Sequence, residues 1–119
     1  MTTATNRTEA ALETAINTFK KCEIEVTVVE GLDARARAVL AKIAAGERVT
    51  ESDKDALLPT LWSERGFNAD APMTEVAQLC ITVAHGRYRP AVRAMNEAKA
   101  EVAALEKKLM SLLNRRRAA

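Results

Sequence analysis

Two long series of small and apolar residues, spaced alternately three and four positions apart, constrain the fold of this chain more than any other feature. Such spacing places side chains along one face of an α-helix, and over many heptads it is typical of helices that pack side by side. The first series, which we call the first stripe, is Leu12, Ala15, Phe19, Cys22, Val26, Val29, Asp33, Ala36, Leu40 and Ile43. The second stripe is Ile81, Ala84, Tyr88, Ala91, Met95, Ala98, Val102, Leu105, Leu109 and Leu112. The two stripes predict two long helices.

Boundary signals give the limits of the first two predicted helices. Asn6 with Glu9 has the spacing of a capping box, and Gly46 stands where a glycine would end a helix, so we predict a long helix over residues 6–45. Thr50 with Asp53 looks like a second cap, and we predict a short helix over 51–64 in which Pro59 disturbs the middle.

The predicted third helix covers residues 72–114, within a single domain of residues 1–119. Asp70 is the predicted cap, and Pro72 is placed in the first turn, where its missing N–H is harmless. Pro90 removes the hydrogen bond to the carbonyl of Gly86, so a kink is expected near 86–90. Residues 115–119 are predicted to be a basic tail.

Two helices of similar length joined by a shorter connector predict an antiparallel hairpin, an all-α and coiled-coil-like fold with a short connecting helix. The stripes align when paired residue numbers sum to about 121, so that Leu12 faces Leu109. Two alternatives stay open. Residues 24–29 alternate as a strand would, and breaks at Gly31 and Gly86 would give five shorter helices in a compact monomer.

Further apolar residues lie outside the stripes, and a short connecting helix cannot cover all of them. They are Val28, Leu32, Val39, Val76, Leu79, Val83, Val92 and Leu113. Their number predicts that the hairpin associates with itself into a helical bundle, as a homodimer or higher oligomer, and that another protein is also a partner.

The same register brings irregular residues of both stripes together. Asp33, the one acidic residue of the first stripe, falls opposite Tyr88, and basic residues follow closely in sequence. This polar layer either fixes the register or, with its arginine side chains, binds a small anionic ligand. The candidate residues are Asp33, His85, Arg87, Tyr88, Arg89 and Arg93.

Charge is segregated along the chain. Residues 86–119 carry nine basic and three acidic side chains, whereas residues 51–85 carry two basic and six acidic ones. The candidate phosphate contacts are Lys107, Lys108, Arg115, Arg116 and Arg117, although cations are also favoured at a helix C-terminus by the helix dipole. In the acidic connector, Trp62 and Phe67 either pack onto the hairpin or form a protein-binding surface.

No pattern points to catalysis. The chain has one histidine and no nucleophile motif, and no spacing typical of metal ligands, so we predict no catalytic, cofactor or metal site. Cys22 and Cys80 form no CxxC pair and are expected to be reduced, buried thiols. Without a signal peptide or a segment that could span a membrane, a cytoplasmic protein is expected.

The predicted function is therefore that of a non-enzymatic, oligomeric helical interaction protein, an assembly, adaptor or inhibitor module. Two alternatives are a nucleic-acid-binding accessory protein that uses the basic C-terminal region and a binder of small anions at Arg87 and Arg89.

Overall fold

The structure, a computed structural model, describes residues 3–61 and 70–118, except for the side chains of Thr60 and Ala118. It has three helices in these ranges: α1 over Thr3–Ala44, α2 over Glu51–Leu61 and α3 over Met73–Ala118. The long helices α1 and α3 pack against each other as a helical hairpin, and the described residues include no strand. The predicted all-α hairpin is confirmed.

Both long helices are continuous through the positions at which a break was considered. Helix α1 runs without interruption through residues 24–29 and Gly31, and α3 runs through Gly86 and Pro90. The strand over 24–29 and the division into five shorter helices are therefore both wrong. Residues 24–29 are helical because the first stripe keeps its spacing of three and four through this alternating segment. A kink near 86–90 stays a prediction.

The ends of α1 match one prediction and correct another. Helix α1 begins at Thr3 rather than at Asn6. At its other end, Gly46 has a φ of 74°, its N–H donates to the carbonyl of Ile43 at 3.1 Å, and the N–H of Glu47 donates to the carbonyl of Lys42 at 2.8 Å. These two bonds form the Schellman motif, in which a left-handed glycine ends a helix. The role predicted for Gly46 is confirmed.

Helix α2 opens with the predicted capping box. The Thr50 N–H donates to Asp53 Oδ2 at 3.0 Å, and the Asp53 N–H donates to Thr50 Oγ1 at 3.2 Å, so two otherwise unpaired backbone donors are satisfied. The helix continues past Pro59 as far as Leu61, so the proline does not divide it. The last predicted residues of this helix, 62–64, lie outside the described residues.

Helix α3 differs from its prediction at both ends. Pro72 directly precedes the helix and its carbonyl accepts from the N–H of Val76 at 3.0 Å, so Pro72 lies before the first turn and not in it. A cap from the Asp70 side chain stays a prediction. At the other end the helix continues to Ala118. The prediction of a basic tail beyond the helix is therefore wrong, since Arg115–Arg117 form the last helical turn.

The chain divides into two compact units, each of which contains part of both long helices. We call Thr27–Arg89 the three-helix unit, because it includes α2, and Met1–Val26 with Pro90–Ala119 the two-helix unit. That residues 1–119 form one domain stays a prediction.

The three-helix unit has a well-buried core. Helix α2 contributes Leu57 and Leu61, which are 0% and 1% exposed. They cover Leu32, Val39 and Val76, three apolar residues that lie outside the stripes. The complete buried cluster is Val29, Leu32, Ala36, Val39, Leu57, Leu61, Val76, Ala77, Cys80 and Ala84. The prediction that the short helix covers part of the apolar surplus is confirmed.

The two-helix unit buries mainly small side chains. Its buried residues are Thr5, Thr8, Ala15, Val26, Ala91 and Ala98. Most of its larger apolar side chains are only half-buried: Leu12, Ile16, Phe19, Val92, Met95, Val102, Leu105, Leu109, Leu112 and Leu113. Ile24 and Met110 are exposed. One helix can shield only one side of its neighbour, so a pair of helices leaves the flanks of the apolar stripe in water.

Candidate functional site

A surface groove in the three-helix unit contains part of the predicted polar layer. Its volume is about 290 Å³. It is lined by Val29, Glu30, Asp33 and Arg37 from α1 and by Ala84, His85 and Tyr88 from α3. The predicted register thus brings Asp33, His85 and Tyr88 to one groove.

The carboxylate of Asp33 is satisfied differently from the prediction. Its Oδ2 accepts from Arg37 Nε at 2.9 Å, one helical turn further along α1, and the side chains of Asp33 and Arg37 are 36% and 65% exposed. Within residues 3–61 and 70–118, no hydrogen bond joins Asp33 to Tyr88, which is itself 43% exposed. The polar layer is therefore partly exposed to solvent. The negative charge of Asp33 is stabilised by Arg37 on the same helix and by its exposure to water.

The groove does not have the charge that an anion site requires. Glu30 and Asp33 contribute two carboxylates against the one guanidinium of Arg37. Arg87 and Arg89 do not line the groove, and Arg93 belongs to the two-helix unit. With two carboxylates and one guanidinium, this groove lacks the converging arginines that an anion site needs. Binding of a small anion at Arg87 and Arg89 stays a prediction.

A second polar contact, which the sequence did not reveal, joins α1 to α2. Lys42 Nζ donates to both carboxylate oxygens of Asp53, at 3.0 and 2.9 Å. The hydrogen bond from the Thr50 backbone N–H and the bond from Lys42 lower the pKa of Asp53 to about 2. Asp53 therefore caps α2 and also attaches it to the end of α1.

The prediction of a buried thiol is confirmed for Cys80 and is wrong for Cys22. Both thiols are free; Cys80 is buried and Cys22 is half-buried. The Cys80 thiol donates to the carbonyl of Leu57 at 3.7 Å, and burial raises its pKa to about 11. A thiol in this environment is protonated and packs as a small apolar side chain.

The candidate phosphate contacts do not converge on one face. Lys107, Lys108 and Arg115–Arg117 are all exposed on α3. Successive helical residues are about 100° apart around the axis, so three consecutive arginines spread around the helix. Their position in the last turn is the one that the helix dipole favours for cations. Nucleic-acid binding stays a prediction.

The other candidate partner surface cannot be placed. Trp62 and Phe67 lie outside the described residues. Among the residues that are described, no group of three or more His, Cys, Asp or Glu side chains could hold a metal ion, and no helix is long and apolar enough to cross a membrane.

A different surface, on α1 of the two-helix unit, combines apolar and charged side chains. A depression of about 390 Å³ is lined by Glu9, Leu12, Glu13, Ile16, Asn17 and Lys20. Leu12 and Ile16 are half-buried, and the four polar residues around them are exposed. The first stripe does not predict this surface because Ile16 lies beside the stripe, not in it. The spacing of four between Leu12 and Ile16 is the sequence signal that identifies the row.

Comparison of the chain with known protein families, with curated proteins and with solved structures finds no match.

Proposed function

We propose that this protein is a non-enzymatic helical interaction protein that works as a homo-oligomer, and that a second copy covers the apolar flanks of the two-helix unit. The difference in burial between the two units carries the proposal. Leu32, Leu57 and Leu61 of the three-helix unit are at most 1% exposed, whereas Leu105 and Leu109 of the two-helix unit are only half-buried.

The three-helix unit shows what a third helix does to the flanks of this hairpin. Helix α2 lies over Leu32, Val39 and Val76, which are 1%, 3% and 0% exposed. No segment within residues 3–61 and 70–118 does the same for the two-helix unit, whose members all come from α1 and α3.

Covering these flanks with a second copy is favourable because each square ångström of apolar surface removed from water contributes about 25 cal/mol. Two hairpins that pack together form a four-helix arrangement, a common way for antiparallel helix pairs to enclose a core. A two-fold dimer is the simplest closed assembly that does this.

A matched pair of substitutions tests which unit makes the contact. Leu113 of the two-helix unit is half-buried, and Leu79 of the three-helix unit is 38% exposed. We expect Leu113→Gln to raise the dissociation constant measured by sedimentation velocity at least several-fold, since it removes apolar area from the covered flank. Leu79→Gln makes the same chemical change and should leave the dissociation constant unchanged.

Two outcomes would overturn the proposal. A wild-type chain that sediments as a monomer up to high micromolar concentration does not self-associate. An equal loss of affinity in both variants would mean that the two-helix unit is not the contact surface.

A further inference from the structure

The depression on α1 has charge of opposite sign at its two ends. Glu9 stands at the N-terminal end and Lys20 at the C-terminal end, and between them lie Leu12, Glu13, Ile16 and Asn17. At a rise of about 1.5 Å per residue, Glu9 and Lys20 are about 16 Å apart along the helix, too far to interact with each other. Within the described parts of the chain, neither side chain has an ion-pair partner.

A row of this kind is complementary to itself when it is reversed. If a second α1 lies antiparallel across the first, with a two-fold axis between residues 14 and 15, each Glu9 is level with the Lys20 of the other copy. In the same register, Leu12 is level with Asn17 of the other copy and Ile16 with Glu13. Leu12 of one copy then lies within one residue of Ile16 of the other, so the apolar side chains meet near the centre. A two-fold contact presents the same patch from both partners and therefore makes every such pairing twice.

We propose that residues 9–20 of α1 form a self-recognition surface whose partner is the same surface of a second copy, packed antiparallel. The inference rests on the proposed function and specifies which part of the two-helix unit makes the contact. The opposite charges of Glu9 and Lys20 at the two ends of the row favour a second copy over another kind of partner. A uniformly acidic or basic partner would place like charges together at one end of the row, whereas the reversed copy matches both ends.

Charge reversal tests this arrangement with an internal control. Glu9→Lys alone and Lys20→Glu alone each place like charges together at both ends of the dimer. With exposed ion pairs worth up to about 1 kcal/mol, we expect each single variant to raise the dissociation constant about tenfold at low salt. The double variant Glu9→Lys/Lys20→Glu restores opposite charges and should return the dissociation constant to the wild-type value.

Recovery in the double variant reports a contact between copies, because the two positions are too far apart in one chain to compensate for each other. Lys21→Glu is the matched control. Lys21 is exposed, and its side chain is turned by about 100° around α1 from that of Lys20, so this variant should bind like the wild type. Far-UV circular dichroism checks that each variant keeps its helix content. If a reversal unfolds the chain, Glu9→Gln and Lys20→Gln replace it, with an expected loss of about twofold to threefold.

The outcomes separate this inference from the proposed function. If the wild type dimerises but neither single variant is weaker, or the double variant does not recover, the self-recognition surface is refuted while the proposed function stands. If the wild type is a monomer, both are refuted. Weakening that fades as salt is added, together with recovery in the double variant, supports the inference.

Discussion

Truncation of Leu57 tests whether α2 is an integral part of the three-helix core. Leu57 is 0% exposed and packs in the cluster that contains Leu32, Leu61 and Val76. Leu57→Ala removes three carbons, which at about 0.8 kcal/mol each corresponds to about 2.4 kcal/mol of lost transfer free energy. The cavity that remains adds to this, and we expect a loss of about 3 kcal/mol in the free energy of unfolding.

The neighbouring residue provides the control for this prediction. Leu58 lies on the same helix and is only half-buried, so Leu58→Ala should cost about 1 kcal/mol. Urea denaturation followed by far-UV circular dichroism, at one fixed protein concentration, gives both values. A loss below about 1 kcal/mol for Leu57→Ala, or equal losses for the two variants, would mean that α2 does not anchor the core.

Three further predictions concern local features. Gly46→Ala should lower the free energy of unfolding by about 1 kcal/mol, because Gly46 has a positive φ. Gly86→Ala should raise it by about 0.5–1 kcal/mol, because Gly86 lies inside α3 and no atom is within 4 Å of the added Cβ. In urea titrations, a stabilising Gly46→Ala or a destabilising Gly86→Ala would contradict the role given to that glycine. The pKa of Asp53 is lowered from 3.8 to about 2, so its stabilisation is complete above pH 4 and is lost as the pH falls towards 2. The stability difference between wild type and Asp53→Asn should therefore shrink over that range, and a constant difference would refute the assignment. Cys80 should react with a thiol reagent, followed by mass spectrometry, only at the rate of global unfolding, and rapid labelling of the native chain would show that it is accessible.

The helical organisation could be predicted because local signals agreed with the long-range pattern. The first stripe keeps its phase from Leu12 to Ile43, and Gly46 ends α1 with the expected bonds. Thr50 and Asp53 likewise cap α2 as their spacing indicates. Each of these features depends on neighbouring residues, and such features are encoded directly in the sequence.

The helix ends were misplaced where polar side chains occupy positions of the stripe. Thr5 and Thr8 continue its alternating spacing towards the N-terminus, and both are only 3% exposed. The Thr8 hydroxyl donates to the carbonyl of Ala4 at 2.8 Å, which satisfies it inside the helix and lets its methyl group pack. The capping-box spacing of Asn6 and Glu9 therefore places the start of the helix three residues too late, because the stripe already continues through Thr5 and Thr8.

The candidate site was predicted only in part, because charge partners depend on side-chain geometry. The register correctly brought Asp33 and Tyr88 to one groove, but Asp33 pairs with Arg37 on its own helix. The spacing of four between Asp33 and Arg37 was available in the sequence and is typical of helical ion pairs. The contact of Lys42 with Asp53, by contrast, depends on where α2 lies, which no local pattern indicates.

The mass of the unmodified chain in solution tests most directly whether the two-helix unit needs a second copy. Sedimentation equilibrium at several micromolar concentrations measures this mass without regard to shape. We predict a species of twice the 13.0 kDa chain mass, in concentration-dependent exchange with the monomer. A single species of 13.0 kDa at every concentration would contradict the prediction and would mean that one chain tolerates the half-buried flanks of Leu105 and Leu109 in water.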